Sequence, residues 1–276
     1  MLSKTDIIAQ IRAEHRKRVF LIKQRVRIGN ALGAFIRTQL GWSLDLPEKE
    51  REARKKQAQK IIDSKGEGTD FAWIIAANDA ACAKYDEAEA DIEKTLKKLV
   101  RQLPVWRSWA KQIIGLSELG VATIVGEAGD LSDYPKKGHL YQRMCVGFVD
   151  GKRQGGLSSD APAAEWIEHG YNRERRSRLY AYVGVPFIKC VAHEATDTHA
   201  ARDASPYRIE YDRRKAYEIE KAEAAGLIVA PAAKIPKGQT DKYVSEICIH
   251  RRAQRYMEQR LLKHLWQAWK RADGTG

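Results

Sequence analysis

Between Asn78 and Leu103 the chain carries Ala81, Tyr85, Ala88, Ile92, Leu96, Leu99 and Leu103 at spacings of three, four or seven, with charged residues between them. That period lines one face of an α-helix. It predicts a long amphipathic helix over 78–104, close to a coiled-coil seam, ended or kinked by Pro104. Two packings are open to such a stripe: a face buried within the chain, and a homodimer through 78–103.

The segment before it, 1–77, reads as a basic helical region. Ile7, Ile8, Ile11, Val19, Ile22, Val26 and Phe35 recur at helical spacing, with Arg12, Arg16, Lys17, Lys23, Arg25 and Arg27 between them. Thr5 and Asp6 offer a cap, and Gly29 and Gly33 a bend or a close packing point. Pro47 opens a charged, solvated helix over 48–60, and Ser64–Thr69, with Gly66 and Gly68, reads as a linker.

From Ile113 to Tyr182 apolar residues alternate with glycine, a pattern of tight turns and close backbone approach. Val146–Val149 reads as a short buried strand, Asp150-Gly151 as a turn and Gln154–Gly156 as a loop. Helices are expected over Ala163–His169 and, strongly basic, over Asn172–Tyr182. A further helix spans Pro206–Ala225 and closes at Gly226, and a connector covers Val229–Gly238. The last helix starts near Thr240-Asp241. It sets Tyr243, Ile247, Tyr256, Leu261, Leu265 and Trp269 against a basic face of Arg251, Arg252, Arg255, Arg260 and Lys263. The expected fold is mainly α: long, coiled-coil-like N-terminal helices, then a helix-hairpin-helix-like domain over 105–276.

Charge narrows the function. Forty-nine Lys and Arg against 36 Asp and Glu leave +13 over 276 residues, and the sequence pI is near 9.5. Such an excess favours polyanions, because each cation set on a phosphate releases a condensed counterion. Mean hydropathy is −0.53, and no apolar run approaches the ~18 residues of a membrane span. Asp6 and Arg12 break the N-terminal apolar pattern, against a signal peptide. A cytoplasmic protein is expected, nucleoid-associated if the source is prokaryotic. Cys82, Cys145, Cys190 and Cys248 lack the paired spacing of a zinc site. His193 and His199 stand six apart, not the four that place two ligands on one helical face, so no metal site is expected there.

The stretch Ile114–Gly120, followed by Val121–Asp130, has the form of two short helices about a glycine turn. In a helix-hairpin-helix the turn's N–H groups approach a phosphate at the next helix's N-terminus, which makes Gly115, Ser117 and Gly120 candidate nucleic-acid contacts. Lys136, Lys137, Arg153, the cluster Arg173, Arg175, Arg176 and Arg178, and Arg251, Arg252 and Arg255 join them as phosphate partners.

Ile113–Asp133, then Tyr134-Pro135, His139-Leu140, Val146–Phe148 and Asn172–Tyr182, resemble in order and spacing the C-terminal domain of insertion-sequence transposases of the DEDD-plus-serine type, the "IS one-ten" family. The resemblance extends over roughly 80–272 and is strongest over 113–182. It implies DNA recombination, with DNA and a structured RNA as partners. In that family a RuvC-like domain binds divalent metal through four carboxylates, and a serine attacks the phosphodiester. Here 1–77 shows no alternating strands with a strand-end aspartate, and Gly155 falls where the family serine belongs. The resemblance therefore implies a DNA-binding protein related to transposases that lacks its own nuclease chemistry and needs no cofactor. Two alternatives stand beside it. One is an active recombinase using Ser158 or Ser159 with Mg²⁺; the other is a helical structural or regulatory protein-interaction module.

Overall fold

The computed structural model describes residues 2–158, 160–196, 198–239 and 241–274, and it is mainly helical. The chain forms two compact units, one of Ala13–Thr95 and one of Met1–Arg12 with Leu96–Gly276. These divisions cut through the two longest N-terminal helices and do not follow the expected boundaries at 77 and 104.

Three helices build the first unit: the greater part of α1 (Lys4–Gln39), all of α2 (Glu48–Asp63) and most of α3 (Ala72–Val100). Its apolar cluster is small. Leu32, Ile36, Ala58 and Ile75 are buried, with Leu40, Ile61, Ile62, Phe71 and Ile74 packed on them. Val26 and Phe35, expected on the buried face of α1, are instead exposed. Away from the apolar cluster, α1 meets α3 through ions. Arg18, only 4% exposed, lies 2.9 Å from Glu89 and 2.8 Å from Glu93, and one heptad on Arg25 pairs with Asp86 and Glu89. The stripe residues Ala81, Tyr85, Ala88 and Ile92 of α3 are half-buried. Gly66, expected in a linker, sits in a fixed turn. Lys65 and Gly66 are left-handed, the Gly66 N–H donates to the Ile61 carbonyl, and a Cβ on Gly66 would lie 2.7 Å from the Ala72 nitrogen.

The second unit holds α4 (Pro104–Ser108), α5 (Glu118–Ala128), α6 (Lys137–Arg143), the hairpin β1 (Phe148–Val149) and β2 (Lys152–Arg153), and α7 (Ala163–His169). There follow α8 (Arg173–Leu179), α9 (Val185–Lys189), α10 (Pro206–Ala224), β3 (Ile228–Ala230), β4 (Tyr243–Ser245) and α11 (Glu246–Ala272). α3 ends at Val100, short of Pro104, which takes the first-turn position of α4 where its missing N–H costs nothing. Asp150 and Gly151 both have positive φ, the geometry of a two-residue hairpin turn, and join β1 to β2.

α11 is the post of this unit. Ile249, Ala253, Met257, Leu261, Leu265 and Trp269 recur along its buried side, and it packs on α4, α6 and α10. At 27 residues it is about 40 Å long. It begins at Glu246 and not near Asp241: Tyr243 pairs with Ile228 in a short parallel strand, and the Ser245 side chain caps the helix by accepting from the Cys248 N–H. α8 and α9 form one helical run through a π-turn at Tyr180–Gly184. Pro186 explains the turn, because it has no N–H to give to the Tyr182 carbonyl. Among the described residues no helix is long and apolar enough to cross a membrane.

Gly184 is where the π-turn meets α11. A Cβ there would collide with the Gln254 amide and lie 2.5 Å from Glu258 Oε1, both buried. Gly29, inside α1, has nothing within 4 Å of the corresponding position. Gly184→Ala is expected to lower stability by about 1–3 kcal/mol through overpacking. Gly29→Ala is expected to raise it by about 1 kcal/mol through helix propensity. Urea unfolding of the two variants, with shifts of opposite sign, checks both.

Candidate nucleic-acid interface

The expected phosphate-binding hairpin is not built as one. A single helix, α5, follows Gly115, and Gly120 through Val125 are buried on all sides of it, the pattern of a helix inside a core. Gly115 has φ +92°, and a Cβ there would lie 2.8 Å from the Phe187 ring and 3.0 Å from Cys190 Sγ. Its freedom serves packing. The Ser117 hydroxyl accepts from the Gly120 N–H at 3.1 Å, and Glu118 in the first turn pairs with Arg101 at 2.9 Å. The helix N-terminus already has its cap and its negative charge.

The basic helix α8 opens at Asn172, whose side chain accepts from the Arg175 N–H at 2.8 Å. The helical period then divides its arginines. Arg175 and Arg178 turn towards α5, where both hold the buried Glu127, at 3.1 Å and 2.5 Å. Arg173 and Arg176 lie on a different face with Ser177 and Tyr180.

α11 divides its arginines in the same way. Arg252 faces α10 and lies 3.3 Å from Glu218, a carboxylate 2% exposed that also holds Arg214 at 2.5 Å and has Arg153 of β2 at 4.0 Å. Ile247, Arg251 and Arg255 recur at four-residue spacing on another face. The two faces, from α8 and α11, meet in one cleft of about 490 Å³ lined by Tyr171, Arg173, Arg176, Ser177, Tyr180, Ile247, Arg251 and Arg255.

Beneath the cleft lies a buried polar floor. Glu258 is fully buried and pairs with Arg176 at 2.9 Å, while Gln254 donates to Glu258 at 3.1 Å. Arg255 donates to the Gln154 carbonyl at 2.9 Å, which ties the β2 loop to the cleft. One guanidinium nitrogen of Arg176 and one of Arg255, Nη1 in each, is shielded from water with no hydrogen-bond partner among the described residues. Burial, and then the neighbouring Arg176 charge, pulls the Arg255 guanidinium below its ordinary range. Arginine stays charged regardless. The arrangement is therefore a concentration of cations that an entering anion would relieve: four guanidiniums line the cleft against one carboxylate below it.

The remaining expected residues sit elsewhere. Lys136 and Lys137 are exposed at the start of α6, beside Gly138, His139 and Phe148. Ser158 is exposed; its carbonyl closes a turn by accepting from the Ala161 N–H, and no hydrogen bond reaches its hydroxyl from the described residues. Ser159 lies outside the described residues. Gly155 has open space where a side chain would project, its nearest neighbour being the Arg153 carbonyl at 3.9 Å. Among the described residues no group of three or more His, Cys, Asp or Glu side chains is placed to hold a metal ion.

Sequence reasoning missed Tyr171, Tyr180 and Ile247. The signal was present: Tyr180 stands seven residues after Arg173, and Ile247 four before Arg251, each on its arginine's face. No protein-family model, curated protein or solved structure matches the chain.

Glu218, between α10 and α11, makes the stability of that contact pH-dependent. Burial works to raise its carboxyl, but the hydrogen bond from Arg214 and the charges of Arg214, Arg252 and Arg153 outweigh it and hold the group below its ordinary range. A lowered carboxylate contributes stability that is complete above the ordinary glutamate range and is lost as pH falls through the lowered value. Glu218→Gln should therefore be less stable at neutral pH and show a flatter acid limb. Urea midpoints measured across the acid range check the sign.

Proposed function

We propose that the protein binds nucleic acid by its phosphate backbone, through the arginine cleft between α8 and α11. The observation that carries this reading is the meeting of Arg173 and Arg176 with Arg251 and Arg255, from distant segments, around one concave surface. Arg173 and Arg251 are exposed and make no ion pair among the described residues. Guanidinium groups suit phosphate because their planar forks give two parallel charge-assisted hydrogen bonds. The net charge of +13 adds long-range attraction to the same kind of partner. Contacts of this kind position a strand and carry no base sequence information. DNA recombination as the setting is supported by the resemblance alone, which extends over roughly 80–272 and is strongest over 113–182, the stretch that holds α8.

The partition of the arginines sets the test. In the full-length protein, Arg173→Ala combined with Arg251→Ala should weaken binding of a fluorescent oligonucleotide. The slope of log affinity against log salt should flatten by about 0.7–0.9 for each phosphate that is no longer neutralised. Lys84→Ala, far along the chain on α3, should leave both unchanged. Unaltered affinity and slope in the arginine double variant would overturn the assignment of the cleft.

A further inference from the structure

The walls of the cleft hold more than charge. Tyr171 and Tyr180 are half-buried beside the guanidiniums, and Ile247 is 41% exposed at the same opening. A duplex turns phosphates and sugars outward and keeps its base faces stacked inside, so aromatic and aliphatic walls have nothing to grip on it. An unpaired nucleotide offers both halves at once: a phosphate for the arginines and a flat apolar face for the tyrosines. The volume, about 490 Å³, falls in the ~300–1,000 Å³ range of small-ligand sites and is the size of one such unit.

Resting on the nucleic-acid reading above, we propose that the cleft seats a single unpaired nucleotide of a strand. Its phosphate lies towards Arg173, Arg176, Arg251 and Arg255, and its base lies against Tyr171, Tyr180 and Ile247. The protein is thereby selective for single-stranded segments over duplex. The same chemistry is shared by a free mononucleotide, so the two sources are separated in the test.

The experiment uses the full-length chain with an oligothymidine strand carrying one 2-aminopurine, the same strand paired into a duplex, and thymidine monophosphate as competitor. The single strand is expected to bind more tightly than the duplex and to change the 2-aminopurine emission on binding. Tyr171→Leu and Tyr180→Leu should each weaken the single strand by about fivefold or more, the scale of one base stacked on an aromatic ring. Duplex affinity should stay within twofold. Tyr180→Phe, which keeps the ring, should bind like the parent and show that the leucine effect is stacking and not misfolding. Equal affinity for strand and duplex, untouched by the leucine variants and with unchanged emission, overturns the nucleotide seat and leaves phosphate binding standing. Failure to bind either form overturns the nucleic-acid reading itself. Saturable binding of the monophosphate with neither strand nor duplex bound overturns the strand and leaves a free-nucleotide site.

Discussion

Three buried carboxylates, Glu127, Glu218 and Glu258, govern the larger unit. They are 8%, 2% and 0% exposed. Removing a carboxylate from water costs several kcal/mol, and the cost is offset only where a cation with good geometry comes with it. Glu127 takes Arg175 and Arg178, Glu218 takes Arg214 and Arg252, and Glu258 takes Arg176. These pairs fix the rotation of α8 and α11 about their own axes. The direction in which every other side chain on the two helices points follows from that rotation, including the arginines that reach the cleft.

The cleft is what remains after those pairings. Arg173 and Arg251 pair with no buried carboxylate among the described residues, and Arg176 and Arg255 line the cleft beside them. The helical period is the sorting rule: a residue three or four along stays on the face, and a residue two along leaves it. Thus Arg173, Arg176 and Tyr180 stay together while Arg175 and Arg178 depart to α5. The π-turn and Gly184 then let this wall approach α11 closely enough for Gln254 and Glu258 to occupy the space where a side chain on residue 184 would be.

Local features were legible in the sequence because their causes are local. The stripe from Ala81 to Leu99, the helix break ahead of Pro104, the Asp150-Gly151 turn, the closure of α10 at Gly226 and the basic helix after Asn172 all depend on residues within a turn or two of one another. What was not legible depends on partners far along the chain. Gly115 and Gly120 look the same in sequence whether they cradle a phosphate or pack on Phe187 and the π-turn. Arg175 and Arg173 look alike until Glu127 is placed beside one of them. Tyr243 fits the helical period of α11, yet Ile228 claims it for a strand.

Apart from Arg176, which pairs with Glu258 and also lines the cleft, the arginines of α8 and α11 named above divide into those held by buried carboxylates and those left for a ligand. Arginine-selective modification by phenylglyoxal, mapped by mass spectrometry with and without a saturating oligonucleotide, measures this division directly. Arg173 and Arg251 are expected to react readily in the free protein and to become protected together on binding, while Arg175, Arg178 and Arg252 react slowly in both states. Protection confined to other arginines, or equal reactivity across both populations, would contradict it.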